Sequence, residues 1–288
     1  MSARTYVPEP LKQVVRRAYA PVGEATAGMR LRPSFILVGA QRCGTTSLFR
    51  ALTAHPQAVR PAFYKGVNYF DLNYRRGMRW YIGHFPLSRN SRRSAAPYGE
   101  PAAFEASGYY LYHPMALPRI ARDLPTVKLV AMLRDPVDRA YSAYQHEYAR
   151  GFETESFERA LELEDDRLAG EIDRMREDPS YQSFSHRHHS YRRRGRYAEQ
   201  LERAYDFFPR GQVHIMDSEA YFEQPAIEYR NLLAFLGLEP FEPPSFARHN
   251  ARPSAPMTPQ TRRALENYYA PHNDRLSKLI DRSLRWGH

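Results

Sequence analysis

The chain has 288 residues, 42% of them hydrophobic and 26% charged, which suits one large α/β domain, or one domain with attached helices, around a sizeable core. Its formal net charge of +10 suits anionic partners, whether nucleic acid, an anionic membrane or a polyphosphorylated small molecule. A single cysteine, Cys43, excludes an internal disulfide, no apolar run approaches the ~18–20 residues of a membrane span, and the N-terminus lacks the apolar core of a signal peptide, so a cytoplasmic location is expected.

Residues 1–30 read as an extension and 31–288 as the main domain. Leu11, Val14, Val15 and Ala18 share a helical face beside Lys12, Arg16 and Arg17, the pattern of a short helix packed on the domain or of one lying on a membrane surface. Phe35-Ile36-Leu37-Val38 is a short apolar run ending at Gly39, as expected of a buried parallel strand. A helix begins at Thr46 and ends before Pro56. Val127–Leu133 predicts a second buried strand. Asp135 is placed to cap the next helix, with Pro136 at its first position and Gly151 at its end. A further helix is expected from Ser156 to Leu168. Residues 165–195 are charge-dense and poorly periodic, and predict a partly mobile helix and loop. Helices follow near 196–208, 218–236 and 258–270, with Pro225 interrupting the second or marking its start, and a strand at Val213–Met216. Prolines between 240 and 259 predict an extended crossing segment. Strands alternating with helices point to a three-layer, P-loop-like α/β fold with a central parallel sheet flanked by helices.

Gly39-Ala40-Gln41-Arg42-Cys43-Gly44-Thr45-Thr46-Ser47 lies between a strand and a helix, where turn amides and a helix N-terminus converge on an anion. The alternative, a glycine turn that binds nothing, leaves the basic residue and three hydroxyls unexplained. The glycine spacing is that of a Walker A loop, but Thr45 stands where that loop has its lysine; the cation here is Arg42, inside the turn.

These residues resemble the loop G-x-x-[KR]-x-G-T-[TR]-x-L of sulfotransferases that use 3'-phosphoadenosine 5'-phosphosulfate (PAPS), with Gly39, Arg42, Gly44, Thr45, Thr46 and Leu48 matching. Arg42 keeps the charge of the commoner lysine but gives up a proton less readily. Arg134-Asp135-Pro136, Arg139 and Ser142 are similar to the family's second motif, R-D-P-x-x-R-x-x-S. Lys65 to Asp71 resembles its K-E-x-x-[FY]-F segment, Trp80-Tyr81 with Phe85-Pro86 its W-Y…F-P stretch, and Tyr144-Gln145-His146 a triplet of the heparan N-sulfotransferase branch. The likeness runs over roughly residues 33–280.

The resemblance implies sulfuryl transfer from PAPS to a hydroxyl or amine of a carbohydrate or other small-molecule acceptor, leaving the bisphosphate PAP and needing no metal. Arg42, Cys43, Gly44, Thr45, Thr46 and Ser47 would hold the phosphosulfate, Arg134 and Ser142 the 3'-phosphate, and Tyr197, from the element Arg194-Gly195-x-Tyr197, would lie near that phosphate. Arg139 is expected to pair with Asp135 and brace the corner. Arg248 and Arg252 would stand in for a late basic loop. Lys65 would contact the sulfonate or organise the acceptor, alongside Arg42 as a catalytic cation. The carbohydrate branch has its base in the glutamate after Lys65; here that residue is Gly66. The candidates are Glu105, then His146, then His113. The run His186-Arg187-His188-His189 reads as a basic loop near the acceptor, since adjacent histidines are poorly spaced as helical metal ligands. No nucleic-acid signature appears, and peripheral membrane contact stays open. The rival readings are a nucleotide-binding member that has lost catalysis and a P-loop kinase.

Overall fold

The computed structural model describes residues 19–247, 256–284 and 286; the expected helix over residues 11–18, and Arg248 and Arg252, lie outside the described residues. Five strands form one sheet: β1 (Pro33–Gly39), β2 (Ala58–Val59), β3 (Ala102–Ala106), β4 (Lys128–Leu133) and β5 (Val213–Asp217). Their order is β2-β3-β1-β4-β5, and every neighbouring pair is parallel. Helices flank the sheet, as expected. Phe35 to Val38 and Leu129 to Leu133 are buried on both faces, which is why these strands read as unbroken apolar runs. Because β1 is central, with β3 on one side and β4 on the other, the chain reverses its direction of travel across the sheet there. That is the crevice where open α/β sheets bind ligands.

The helices that matter to the site are α1 (Thr45–Ala54), α2 (Pro136–Tyr148), α3 (Tyr197–Tyr205), α4 (Ser218–Glu223), α5 (Pro225–Leu236) and α6 (Pro259–Ile280). Asp135 caps α2 as expected, its Oδ1 accepting from the N–H groups of Val137 (2.7 Å) and Asp138 (3.2 Å). Pro225 begins α5 rather than interrupting one long helix, because proline suits a first helical turn. α6 continues ten residues past the expected end, through Pro271, held by the buried Leu265, Tyr269 and Leu276. Among the described residues no helix is long and apolar enough to cross a membrane.

The expectation of a partly mobile stretch over 165–195 is corrected. The segment carries short helices at Glu171–Glu177 and Phe184–His188, tied down by charge rather than by an apolar face. The Glu164 carboxylate is fully buried and accepts the N–H groups of Arg192 (2.7 Å) and Arg193 (2.8 Å). Arg167 donates to the buried Glu153 at 2.7 Å. Such pairing leaves no apolar periodicity in the sequence.

Strand β3 has no apolar run to announce it, since Glu105 interrupts it. That carboxylate is completely buried and saturated. Oε2 accepts from the Val67 N–H (2.7 Å) and the Ser107 hydroxyl (2.7 Å); Oε1 accepts from the hydroxyls of Tyr81 (3.0 Å) and Tyr110 (2.8 Å). The Tyr110 oxygen in turn accepts the Tyr69 N–H at 2.8 Å, and the Ser107 oxygen that of Asn68 at 3.1 Å. One carboxylate thus anchors residues 67–70 to the sheet. Truncation leaves four buried donors without an acceptor, so Glu105→Ala should lose about 3–5 kcal/mol, read as a lower urea midpoint at an unchanged slope.

Candidate active site

The phosphate loop leaves β1 at Gly39 and enters α1 at Thr45. Within it the Cys43 N–H donates to the Ala40 carbonyl (3.3 Å), and the Gly44 carbonyl accepts from Ser47 (2.9 Å) and Leu48 (3.3 Å). Gly44 has φ +89°, and a Cβ there would lie 2.9 Å from the Phe222 ring; the turn requires glycine on both counts. Arg42, at φ +73°, is thrown outward, and its Nε donates to Ser142 Oγ at 3.1 Å. Residues 100 positions apart, from the two signatures, therefore share one place over the N-terminal end of α1. Ser47 is buried in the first turn of that helix.

Lys65 reaches the same place from the other side. Its Nζ donates to Thr45 Oγ1 and Thr46 Oγ1, each at 3.0 Å, and its main-chain carbonyl accepts the Ala106 N–H at 2.9 Å. Burial, and secondarily the charge of Arg42, bring its pKa down to about 8.

Arg134 ends β4. Its Nη2 lies 3.5 Å from Asp138 and its Nε 3.8 Å from Glu219, and Nε is buried without a hydrogen bond. Asp138 also accepts from Arg262 at 2.7 Å. Burial, followed by the contact with Asp217, pushes Glu219 up to about 7. The arrangement is an arginine poised beside acids at the carboxyl edge of the sheet, with a donor left for an incoming anion.

Several expected site residues stand behind this surface. Cys43 is fully buried, its Sγ 3.6 Å from the Tyr197 hydroxyl, and burial pushes the thiol up to about 11; its side chain faces the core and not a ligand. Tyr197 is likewise buried, its hydroxyl donating to the Arg134 carbonyl at 3.0 Å. It braces the arginine's backbone. Arg139 is structural as expected but does not pair with Asp135, whose carboxylate is spent on the cap. Its guanidinium is wholly buried and donates to the Tyr191 carbonyl.

Two of the base candidates, Glu105 and His113, are corrected. Glu105, with four donors on its two oxygens, is an anchor with no free lone pair facing an acceptor. His113 is buried and its Nδ1 accepts the Met115 N–H at 3.1 Å; burial, then Arg119, bring its pKa down to about 3. His146 lies one turn beyond Ser142 on α2, its Nε2 3.5 Å from Arg150, on the side of the residue expected to hold a phosphate. Gly66 is closed to a carboxylate altogether, because a Cβ there would meet the Ala106 carbonyl and lie 2.5 Å from Ser107 Oγ. The histidine run is no basic loop. His186 is buried and paired with the Tyr109 hydroxyl at 2.6 Å, His188 with Glu147 at 2.9 Å, and His189 with the Phe152 carbonyl at 2.9 Å.

Sequence reasoning missed Glu219 and the pairing of Gln41 with Arg194. Glu219 follows β5 at the carboxyl end of a strand, a position that was signal enough. Gln41 and the buried Arg194 pair with each other, and Arg194 also lies over the rings of Tyr109 and Tyr112 at 5.0 and 4.9 Å; only the fold brings these together.

Residues 32–249 match the family model described as the sulfotransferase domain. The chain belongs to that family. A sulfotransferase from Alicyclobacillus acidocaldarius, known from its crystal structure, is 34% identical, with 88% of this chain and 98% of that one covered and a TM-score of 0.63. Bifunctional heparan sulfate N-deacetylase/N-sulfotransferase 4 of Mus musculus is 28% identical over 87% of this chain, and the membrane-associated sulfotransferase kil1 of Dictyostelium discoideum 26% over 88%. This sulfotransferase spans about 30% of the length of the bifunctional relatives and 66% of kil1.

In the sulfotransferase, a glutamate whose pKa is raised holds its proton in the native state while the unfolded chain has already released it. Stability therefore falls as pH rises from about 4.5 to about 7. Glu219→Gln, which stays neutral, should gain stability over wild type across that window and hold the gain above it. Urea unfolding at pH 5, 6, 7 and 8 checks the sign.

Proposed function

We propose that this sulfotransferase uses PAPS as its donor and transfers the sulfuryl group to a hydroxyl or amine of a carbohydrate-type acceptor. The observation that carries the reading is the junction of Arg42, Ser142, Thr45, Thr46 and Lys65 at one helix N-terminus, with Arg134 at the adjacent strand end. The residues fit a doubly anionic nucleotide: the buried Nε of Arg134 lacks a hydrogen bond, and the first turn of α1 offers orphan N–H groups. Arg134 and Ser142 would hold the 3'-phosphate; the loop amides, Arg42 and the two threonines would hold the phosphosulfate. The donor supplies an activated sulfuryl group, and the chain's part is to align it and to stabilise the charge that develops on the leaving phosphate. Arg42 and the positive end of α1 do this without moving. The carbohydrate preference is supported by the N-sulfotransferase relatives, which are described as heparan sulfate enzymes.

Transfer of label from [35S]PAPS to N-deacetylated heparosan oligosaccharides tests this reading. Wild type should label the glycan. Arg134→Ala should raise the KM for PAPS roughly 10–100-fold, the loss of a charge-assisted phosphate contact. Transfer to no sugar hydroxyl or amine, with transfer to a phenol or sterol instead, would overturn the acceptor class. Unaltered PAPS kinetics in Arg134→Ala would overturn the assignment of the 3'-phosphate.

A further inference from the structure

The site as described lacks one component: a group to take the proton of the attacking hydroxyl or amine. The carboxylate of the carbohydrate branch has no room at Gly66, Glu105 has all its hydrogen-bonding capacity spent, and His113 faces the core. Lys65 occupies the position beside that gap. A protonated lysine has three N–H donors and no acceptor; a neutral one has two donors and a lone pair. Nζ of Lys65 makes two hydrogen bonds, to Thr45 Oγ1 and Thr46 Oγ1. A neutral amine can donate both of these bonds and hold its lone pair at the remaining tetrahedral position.

We propose that the neutral amine of Lys65 is the general base for the attacking group, an inference that rests on the PAPS-dependent reading above. The acceptor's oxygen or nitrogen forms a bond to sulfur as the bond from sulfur to the bridging oxygen breaks. The electron pair of that bond stays on the 5'-phosphate oxygen of PAP, and the acceptor's proton moves to Lys65 Nζ, from which it passes to water. Both threonine hydroxyls sit on the first turn of α1, so they hold the amine over the helix end at which the sulfuryl group would lie.

The surroundings favour the neutral form. Burial is the first cause, and the charged group acting on Lys65 is Arg42 of the phosphate loop, which repels a second cation. α1 turns hydroxyls and the positive end of its dipole toward it. From β3 the neighbours are Ala106 and Ser107, while Glu105 is committed to its four donors. Loop 65–70 is anchored by the same Glu105 network, which fixes where Nζ lies. Bound phosphosulfate brings negative charge that draws the amine's pKa upward. The acid limb of kcat should accordingly lie above that of kcat/KM, which reports the free enzyme at about 8.

Four readouts on the full chain test the assignment. Competitive labelling of Lys65 with acetic anhydride, followed by mass spectrometry from pH 6 to 11, should show it titrating near 8. PAP release from PAPS, with N-deacetylated heparosan oligosaccharide as acceptor and with water alone, should fall about tenfold per pH unit below that limb in wild type. Lys65→Arg keeps the charge but not the titration, and should lose roughly 10²–10⁴-fold in turnover while its Kd for PAP stays within about threefold. Lys65→Ala should be rescued by ethylamine in proportion to the neutral amine. A Lys65→Arg variant that turns over within about threefold of wild type, or a Lys65 that titrates like an exposed lysine, overturns the proposal alone if PAP still binds. Failure of wild type to bind PAP overturns the nucleotide reading and this proposal with it.

Discussion

A single buried carboxylate organises the Lys65 side of the candidate site. Glu105 stands near the end of β3 with no contact to solvent, where an unpaired charge would be prohibitively costly. Burial pushes its pKa up, and hydrogen bonds from Ser107, Val67, Tyr110 and Tyr81 act against that. The network's product is a loop held in one conformation: Val67, Asn68 and Tyr69 all give their N–H groups to it or to its partners. Lys65 is two residues from the first of these anchors, and its position over the N-terminus of α1 follows from them. The aromatic rings of Tyr69, Phe70 and Tyr81 pack around the same carboxylate, with centroids 4.8–5.2 Å apart, which excludes water and strengthens each bond.

The phosphate side is built on a different principle. There the cations outnumber the acids, and two of them are deep. Arg139 and Arg194 are buried behind the loop, and neither forms an ion pair with a carboxylate among the described residues. Arg139 donates to the Tyr191 carbonyl, with Nε and Nη1 buried and unbonded, and Arg194 holds Gln41 of the loop. Fixed charge in a poorly solvated setting projects a stronger field than the same charge in water. The half-buried acids Asp138 and Glu219 flank Arg134 and keep its guanidinium oriented.

Much of this was legible in the residues. The buried strands β1 and β4 announced themselves as apolar runs, the Asp135-Pro136 cap read correctly as the start of α2, and the turn chemistry of Gly39 to Ser47 located the anion site. Arg42, Ser142, Thr45, Thr46 and Lys65, separated by as many as 100 positions, were all named from the chain and are found together. What the residues concealed was burial of charge. Glu105 looks like a reactive carboxylate until its four donors are seen, and those come from Val67, Tyr81, Ser107 and Tyr110, a set no local pattern connects. Residues 165–195 look like a solvated loop because Glu164 and Glu153 are neutralised by arginines whose own positions depend on the fold. Cys43 and Tyr197 sit in motif positions, yet their side chains are buried in the core, since a motif fixes the backbone and leaves side-chain direction to the turn.

The account turns on recognition of a 3'-phosphate together with a 5'-phosphate at one edge of the sheet. The most direct measurement is calorimetric titration of the protein, in the presence of a chelator, with 3',5'-adenosine bisphosphate, set beside ADP and ATP–Mg²⁺. The account predicts one-to-one binding of the bisphosphate without metal, at least about tenfold tighter than ADP, a gap of about 1.4 kcal/mol or more. Equal affinity for ADP, or a preference for ATP–Mg²⁺, would contradict it.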